Sequence, residues 1–464
     1  MRAAAHVLLM AWALGTVGFP RRTEGNGGHP PPSVTLEELA ESQLVLANQK
    51  STPEQQVEAI SRVSFRPEGE VALPLKAFFE STARDEKRTL PVRLNAAQGF
   101  CFAFREEAAP MRVLLRKLEA QAVEGRDPLT VTVVADALRR GSYLNWPWLA
   151  RDVGAEEESR SIARRALSHE AVEVRKAALY LLGHCGVAAD ADLVRPFLSN
   201  PLKDEFFTAL ALVWQNTAIA GALRDVVWQI VSSEAVVDTS RVTALHALQA
   251  PWGERELAAA RGLFRKCSHS SHVDIARGIL LRATAEDAAR SLVSVGCESE
   301  RAKMAVLGGL KSALEREIGS WYPPREQEGG RAKALAVVRV PALAQALGEW
   351  PTVADGDRAR YREGDESPNT FPPLSASDAL SLITWLDADA KRAVVPHIAR
   401  AMESKNPFVA RHAFVILSDQ QGQHMPLRPI IPLLRKLEGS ADALMRKRAA
   451  ALLKQAEAPE RGQP

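Results

Sequence analysis

The feature that most constrains this chain is a motif that returns in register. Ser168–Gly183 reads SHEAVEVRKAALYLLG: a polar turn with Glu170, a Val174-Arg175 step, then a short run of Ala and Leu. Glu170, Val172, Arg175 and Ala177 align with Asn406, Phe408, Arg411 and Ala413, and again with Asp442, Leu444, Lys447 and Ala449. The polar residue precedes the basic one by five positions each time, and Arg411 and Lys447 are 36 residues apart. Ala177, Ala178 and Leu181 share one helical face, with Val174 a turn earlier. Small residues on that face let neighbouring helices approach closely. A two-helix unit of this period cannot bury its apolar face alone and must stack on its neighbours.

Weaker copies extend the pattern. Val92-Arg93 is followed by Ala96, Ala97 and Phe100. Arg241-Val242 is followed by Ala244, Ala247 and Leu248, and Arg277 stands 36 residues after Arg241 in HVDIARGILLRA. Between them the apolar spacing predicts helices over Leu73–Phe79, Val92–Phe104, Met111–Ala122, Leu129–Arg139, Ala191–Leu198, Glu205–Trp214 and Arg301–Ile318. Thr35 with Glu38 is a capping-box signature, and Thr52-Pro53-Glu54 starts a second helix. No long alternating β-branched run is present to build a sheet. The expected class is all-α.

The turn, the basic residue and the Ala/Leu helix resemble HEAT-type repeats, most closely at Ser168–Gly183, Asn406–Leu417 and Asp442–Leu453 and more weakly over the rest of Thr35–Ala458. The resemblance implies an α-solenoid of stacked two-helix HEAT-like repeats. It also implies that the template basic residue pairs with the acidic turn residue, as a structural ladder along the stack. The ladder positions are Arg93, Glu170, Arg175, Arg241, Arg277, Asn406, Arg411, Asp442 and Lys447. Phosphate binding is the competing reading of this basic series. Some unit spacings are shorter than is usual for HEAT repeats and are similar to those of the bilin-lyase-like members.

The 464 residues would make two to four globular domains, but a solenoid can reach this length as one array. Met1–Gly18 combines Arg2 with an apolar run to Val17, the pattern of a secretory signal and too short for a membrane span. Residues 1–20 therefore read as a signal peptide or apolar N-terminal segment, and 21–34 as a Pro/Gly-rich linker. Repeats follow over 35–320, an irregular insertion with one helix around Ala332–Leu347 over 321–377, closing repeats over 378–458 and a polar tail over 459–464. Export to a periplasmic or extracellular space follows if the segment is a signal, and a cytoplasmic location if it is not. Ala354–Asn369 lacks apolar periodicity and reads as a long exposed loop.

Other candidate sites compete with ordinary structural roles. Cys267, His269 and His272 offer three zinc-type ligands, with His246 or Cys297 as a fourth, but they fall where a polar inter-helix turn belongs. Cys267 and Cys297 could alternatively form a disulfide. Tyr143, Trp146 and Trp148 are an aromatic corner, a stacking platform or a buried core. His184-Cys185 lacks an activating third residue. No GxSxG, HExxH, P-loop or dinucleotide fingerprint occurs. The charge, +3 from 59 basic and 56 acidic residues, is too balanced to argue for nucleic acid.

The function expected is a non-enzymatic scaffold that binds a protein or peptide on its solenoid surface. No cofactor, no catalytic residue, no nucleic acid and no membrane span after signal removal are expected, and the oligomeric state is open. The same resemblance leaves two alternatives: a lyase- or chaperone-like protein acting on a cofactor-bearing protein, and a nucleic-acid enzyme similar to the alkylpurine glycosylases.

Overall fold

A computed structural model describes residues 34–65, 67, 69–142, 153–267, 269–315, 329–353, 388–403, 410, 413–414, 416–418 and 425–457. Among these residues every regular element is helical, and the architecture is an α-solenoid of stacked helix pairs. The chain divides into two compact units. One holds the described residues to Gly186 together with Asp192–Leu212; the other holds Val187–Ala191 and those from Val213 onward.

The first unit contains four successive pairs: α1 (Leu36–Ala47) with α2 (Pro53–Arg62), α3 (Ala72–Arg84) with α4 (Leu90–Ala103), α5 (Ala109–Ala122) with α6 (Pro128–Ser142), and α7 (Val153–Ala166) with α8 (Val172–Cys185). α9 (Ala191–Leu198) and α10 (Phe206–Gln215) come next in the chain. Starts follow the sequence signals. Thr35 Oγ1 accepts from the Glu38 amide at 3.1 Å while the Glu38 carboxylate accepts from the Thr35 amide at 3.0 Å. Thr52 and Gln55 form the same reciprocal cap, with Pro53 as the first helical residue.

The second members of these pairs, α2, α4, α6 and α8, pack on one another in order, whereas the first members touch sparsely. Residue size explains the difference. On α8, Val174, Ala177, Ala178, Leu181 and Leu182 are buried; on α4, Ala96 and Ala97 are buried, and a side chain at Gly99 would run into Phe79 and Ser64. Small residues along a second helix let the next one close on it.

The second unit repeats the arrangement. α11 (Thr217–Ala222) precedes α12 (Arg224–Ser232) and α13 (Asp238–Ala247). Then come α14 (Glu254–Lys266) with α15 (His269–Arg282) and α16 (Ala285–Gly296) with α17 (Glu300–Glu315). α13, α15 and α17 stack in order. At the α15–α17 contact a Cβ on Gly309 would lie 3.2 Å from the Ala276 Cβ and 3.3 Å from the Arg277 amide nitrogen.

The stretch expected as one helix over Ala332–Leu347 is two: α18 (Gly330–Val338) and α19 (Pro341–Val353). Pro341 causes the break, since it lacks an N–H and disfavours helical backbone at the residue before it. Both helices pack on α16, and α18 also on α15 and α17, so this part of the expected insertion belongs to the array. Trp350 of α19 covers Gly296, and Lys333 donates to the Leu281 carbonyl at 2.7 Å. α20 (Ala388–Ala401), α21 (Ile431–Glu438) and α22 (Ala443–Glu457) complete the described chain. The expected signal segment 1–20, the expected linker to residue 33, Tyr143–Trp148 and Ala354–Asn369 lie outside the described residues, as do Asn406 and Arg411.

Candidate functional site

The basic ladder accounts for most of the residues that the sequence singles out. Arg93, Arg175 and Arg241 each occupy the fourth position of the second helix of a pair: α4, α8 and α13. Each turns back to main-chain carbonyls at the junction with the preceding helix. Arg175 Nη1 donates to the His169 and Glu170 carbonyls at 2.7 and 2.6 Å. Arg93 Nε donates to Ala83 O at 3.2 Å and Arg241 Nε to Val231 O at 3.0 Å, each in the last turn of the helix before. Helix C-termini leave carbonyls without helical partners and carry partial negative charge, so a guanidinium there satisfies both.

The carboxylates of the ladder go elsewhere. Glu170 pairs with Arg126 at 2.8 Å, and Asp442 caps α22 by accepting from the Leu444 amide at 2.8 Å. Arg446 occupies the fourth position of α22 and donates to the Ser440 and Ala441 carbonyls at 2.7 and 2.8 Å, so it takes the place expected for Lys447. The Asp442 cap fixes the helix start, and that start decides which residue of the Arg446-Lys447-Arg448 run faces the turn. Arg277 is the ninth residue of α15, buried at its contact with α17, and does not sit in the ladder position.

Arg175 also pairs with Glu205 at 2.5 Å. Burial alone would raise the Glu205 carboxyl, but the hydrogen bonds from Arg175 and the backbone, with the charges of Arg175 and Lys203, hold it below its ordinary value. The pair floors a shallow cleft of about 460 Å³ completed by Phe197, Leu202, Lys203 and Asp204, with the Leu202 side chain 91% exposed.

A second cleft, of about 550 Å³, opens along α12 toward the start of α14 and is lined by Arg224, Asp225, Trp228, Gln229, Ser232 and Arg255. Trp228 falls on the face of α12 that also carries Arg224 and Ser232, four residues to either side. The Arg255 guanidinium lies over its ring at 4.0 Å. Arg224 reaches the buried Glu256 at 2.6 Å, and the second Glu256 oxygen accepts from the Gly253 amide that opens α14. The two arginines therefore have different duties: Arg224 holds α12 to α14, and Arg255 covers the indole. No local periodicity marks this cleft, because its walls come from neighbouring repeats.

The Cys267–His272 cluster has another role. Burial pushes the Cys267 thiol up to about 11, and the His272 ring stacks on Phe264 with centroids 4.3 Å apart. His246 lies in a separate buried group. Arg282 Nη1 donates to its Nδ1 at 2.7 Å, and a Cβ on Gly278 would come within 2.7 Å of its ring. The His269 side chain is outside the described residues, and among those described no three metal-ligating side chains converge. Cys267 and Cys297 are free thiols, as are Cys101 and Cys185, so the disulfide is not formed. The Cys185 carbonyl, at the end of α8, accepts from Arg160 at 2.7 Å, and burial depresses the neighbouring His184. Among the described residues no helix is long and apolar enough to cross a membrane.

No family model matches the chain, and no curated protein matches it. Among solved structures it is similar to a crystal structure of importin beta, with a TM-score of 0.45 and 12% identity over 90% of this chain. The match covers 63% of that protein, so this chain spans less than two thirds of its length.

Proposed function

We propose that the chain is a non-enzymatic HEAT-repeat scaffold that binds a protein or peptide on its solenoid surface. The observation that supports this most is the unequal packing of the two helix layers. Second helices close on one another through Ala and Gly. First helices touch more sparsely, and between two of them, α12 and α14, an open cleft is lined by arginine, aromatic and polar side chains. An open, mixed-polarity cleft on the face of an array suits an extended polypeptide, whereas small-molecule sites are enclosed and mostly apolar. Arg93, Arg175 and Arg241 are committed to backbone carbonyls, which favours structure over phosphate binding for these positions.

The test is cross-linking of the full chain in its native compartment, followed by mass spectrometric identification of the joined peptides. Cross-links from one or a few proteins to residues of the first-helix layer are expected. Recovery of nucleic acid or a small cofactor, with no protein cross-links, would overturn the reading. Export belongs to the same proposal, with Met1–Gly18 as its signal.

A further inference from the structure

The cleft along α12 contains a polar group that the fold does not use. Trp228 is 9% exposed, and its indole Nε1 is buried with no hydrogen-bond acceptor among the described residues. A donor left unmade in this way costs the folded state, because it has given up water without a replacement. Its ring is covered by Arg255, an exposed residue with no carboxylate partner among the described residues. The other charges lining the cleft are committed: Arg224 to Glu256, and Asp225 to an interaction of its own. What remains uncommitted is one buried N–H, one cation resting on an aromatic face, and the polar ends of Gln229 and Ser232.

Resting on the scaffold reading, we propose that this cleft is a docking site for an acidic peptide segment. An Asp or Glu side chain of the peptide pairs with Arg255, and once Arg255 has moved and the indole is uncovered a backbone carbonyl of the peptide accepts from Trp228 Nε1. Arg255 leaves the ring as it turns to the carboxylate, so the peptide gains part of the indole face. Gln229 and Ser232 supply donors and acceptors for the remaining main-chain amides. A basic peptide fits less well, since it would bring a second cation to a ring that Arg255 already covers.

The test uses the full chain and three fluorescein-labelled, N-acetylated and C-amidated peptides of equal length: alternating Glu-Gly, Gln-Gly and Lys-Gly. Fluorescence polarisation should show saturable binding of the Glu peptide, weakened by salt, and little binding of the other two. Arg255→Gln changes an exposed side chain and should weaken the Glu peptide by about tenfold, the value of a charged hydrogen bond. Trp228→Phe keeps a ring and removes the donor, and should weaken it severalfold while circular dichroism shows an unchanged fold. Arg290→Gln, on the exposed face of α16, controls for loss of positive charge and should leave affinity as it was. Absence of saturable binding by the wild-type chain, equal binding of the Gln peptide, or equal losses in the Arg290 and Arg255 variants would each overturn the site. Native cross-links at other first-layer positions would then still support the scaffold reading, so the two can fail separately.

Discussion

At the scale of single residues, the fourth position of the second helix decides most. Arg175 has a 21% exposed side chain and serves two carbonyls and the Glu205 carboxylate. Arg175→Ala should therefore cost about 1–3 kcal/mol, read as a lowered melting temperature. Arg446→Ala, on an exposed helix face, should cost about 0.5–1 kcal/mol, while Lys447→Ala stays within about 0.5 kcal/mol. Equal effects at 446 and 447 would contradict the assignment. His246 gives the pH dependence. Burial, then Arg282 and Arg277, depress it well below its ordinary value, with a hydrogen bond to the Asp274 backbone opposing them. The folded state keeps it neutral, and the unfolded chain takes up a proton below about pH 6.5. Its contribution is therefore complete above that pH. It falls as pH drops toward the folded value, by at most about 1.4 kcal/mol per pH unit. His246→Gln should flatten the melting temperature between about pH 6.5 and 5 relative to the wild type.

At the scale of elements, glycine makes a paired test. Gly278→Ala would push a methyl against the His246 and Trp252 rings, at 2.7 and 2.8 Å, and should destabilise by about 1–3 kcal/mol. Gly262 of α14 has nothing within 4 Å of a built Cβ, so Gly262→Ala should stabilise by about 0.5–1 kcal/mol. Denaturant melts of both variants check the pair. The same elements show what the sequence discloses. The Ala177-Ala178 and Ala96-Ala97 pairs reveal the second helices because their spacing is local and periodic. The ladder's carbonyl partners are not legible, since main-chain atoms leave no trace in residue identity. Lys447 stands next to Arg446, and only the Asp442 cap decides between them. Trp228 and Arg255 belong to different repeats, so no window of helical length contains both. Pro341 was visible in the sequence, and its ability to divide a periodic stretch was outweighed there by the apolar spacing on either side.

At the scale of the whole molecule, far-ultraviolet circular dichroism should show a helical spectrum without a strand component. Mass spectrometry of protein from its native source should find roughly the first 20 residues removed, as signal-peptide lengths imply. Ala354–Asn369 has no apolar periodicity in its sequence, so its removal should leave the melting temperature nearly unchanged. A large loss of stability would show that the segment is packed.

The contrast between the two helix layers has a mechanical consequence. A strip whose one edge is close-packed and whose other edge is open cannot flex evenly. In the first unit, and at the α15–α17 contact of the second, the second-helix edge resists compression, since its helices are already in contact through Gly and Ala. Flexure therefore changes the spacing of the first helices, where little must be broken. The cleft between α12 and α14 lies on that compliant edge, with the Arg224–Glu256 pair as a tether across it. Tension along the second unit would stretch this tether and alter the width of the opening beside Trp228. A force applied at one end of the unit would then be felt at the cleft as a change in grip.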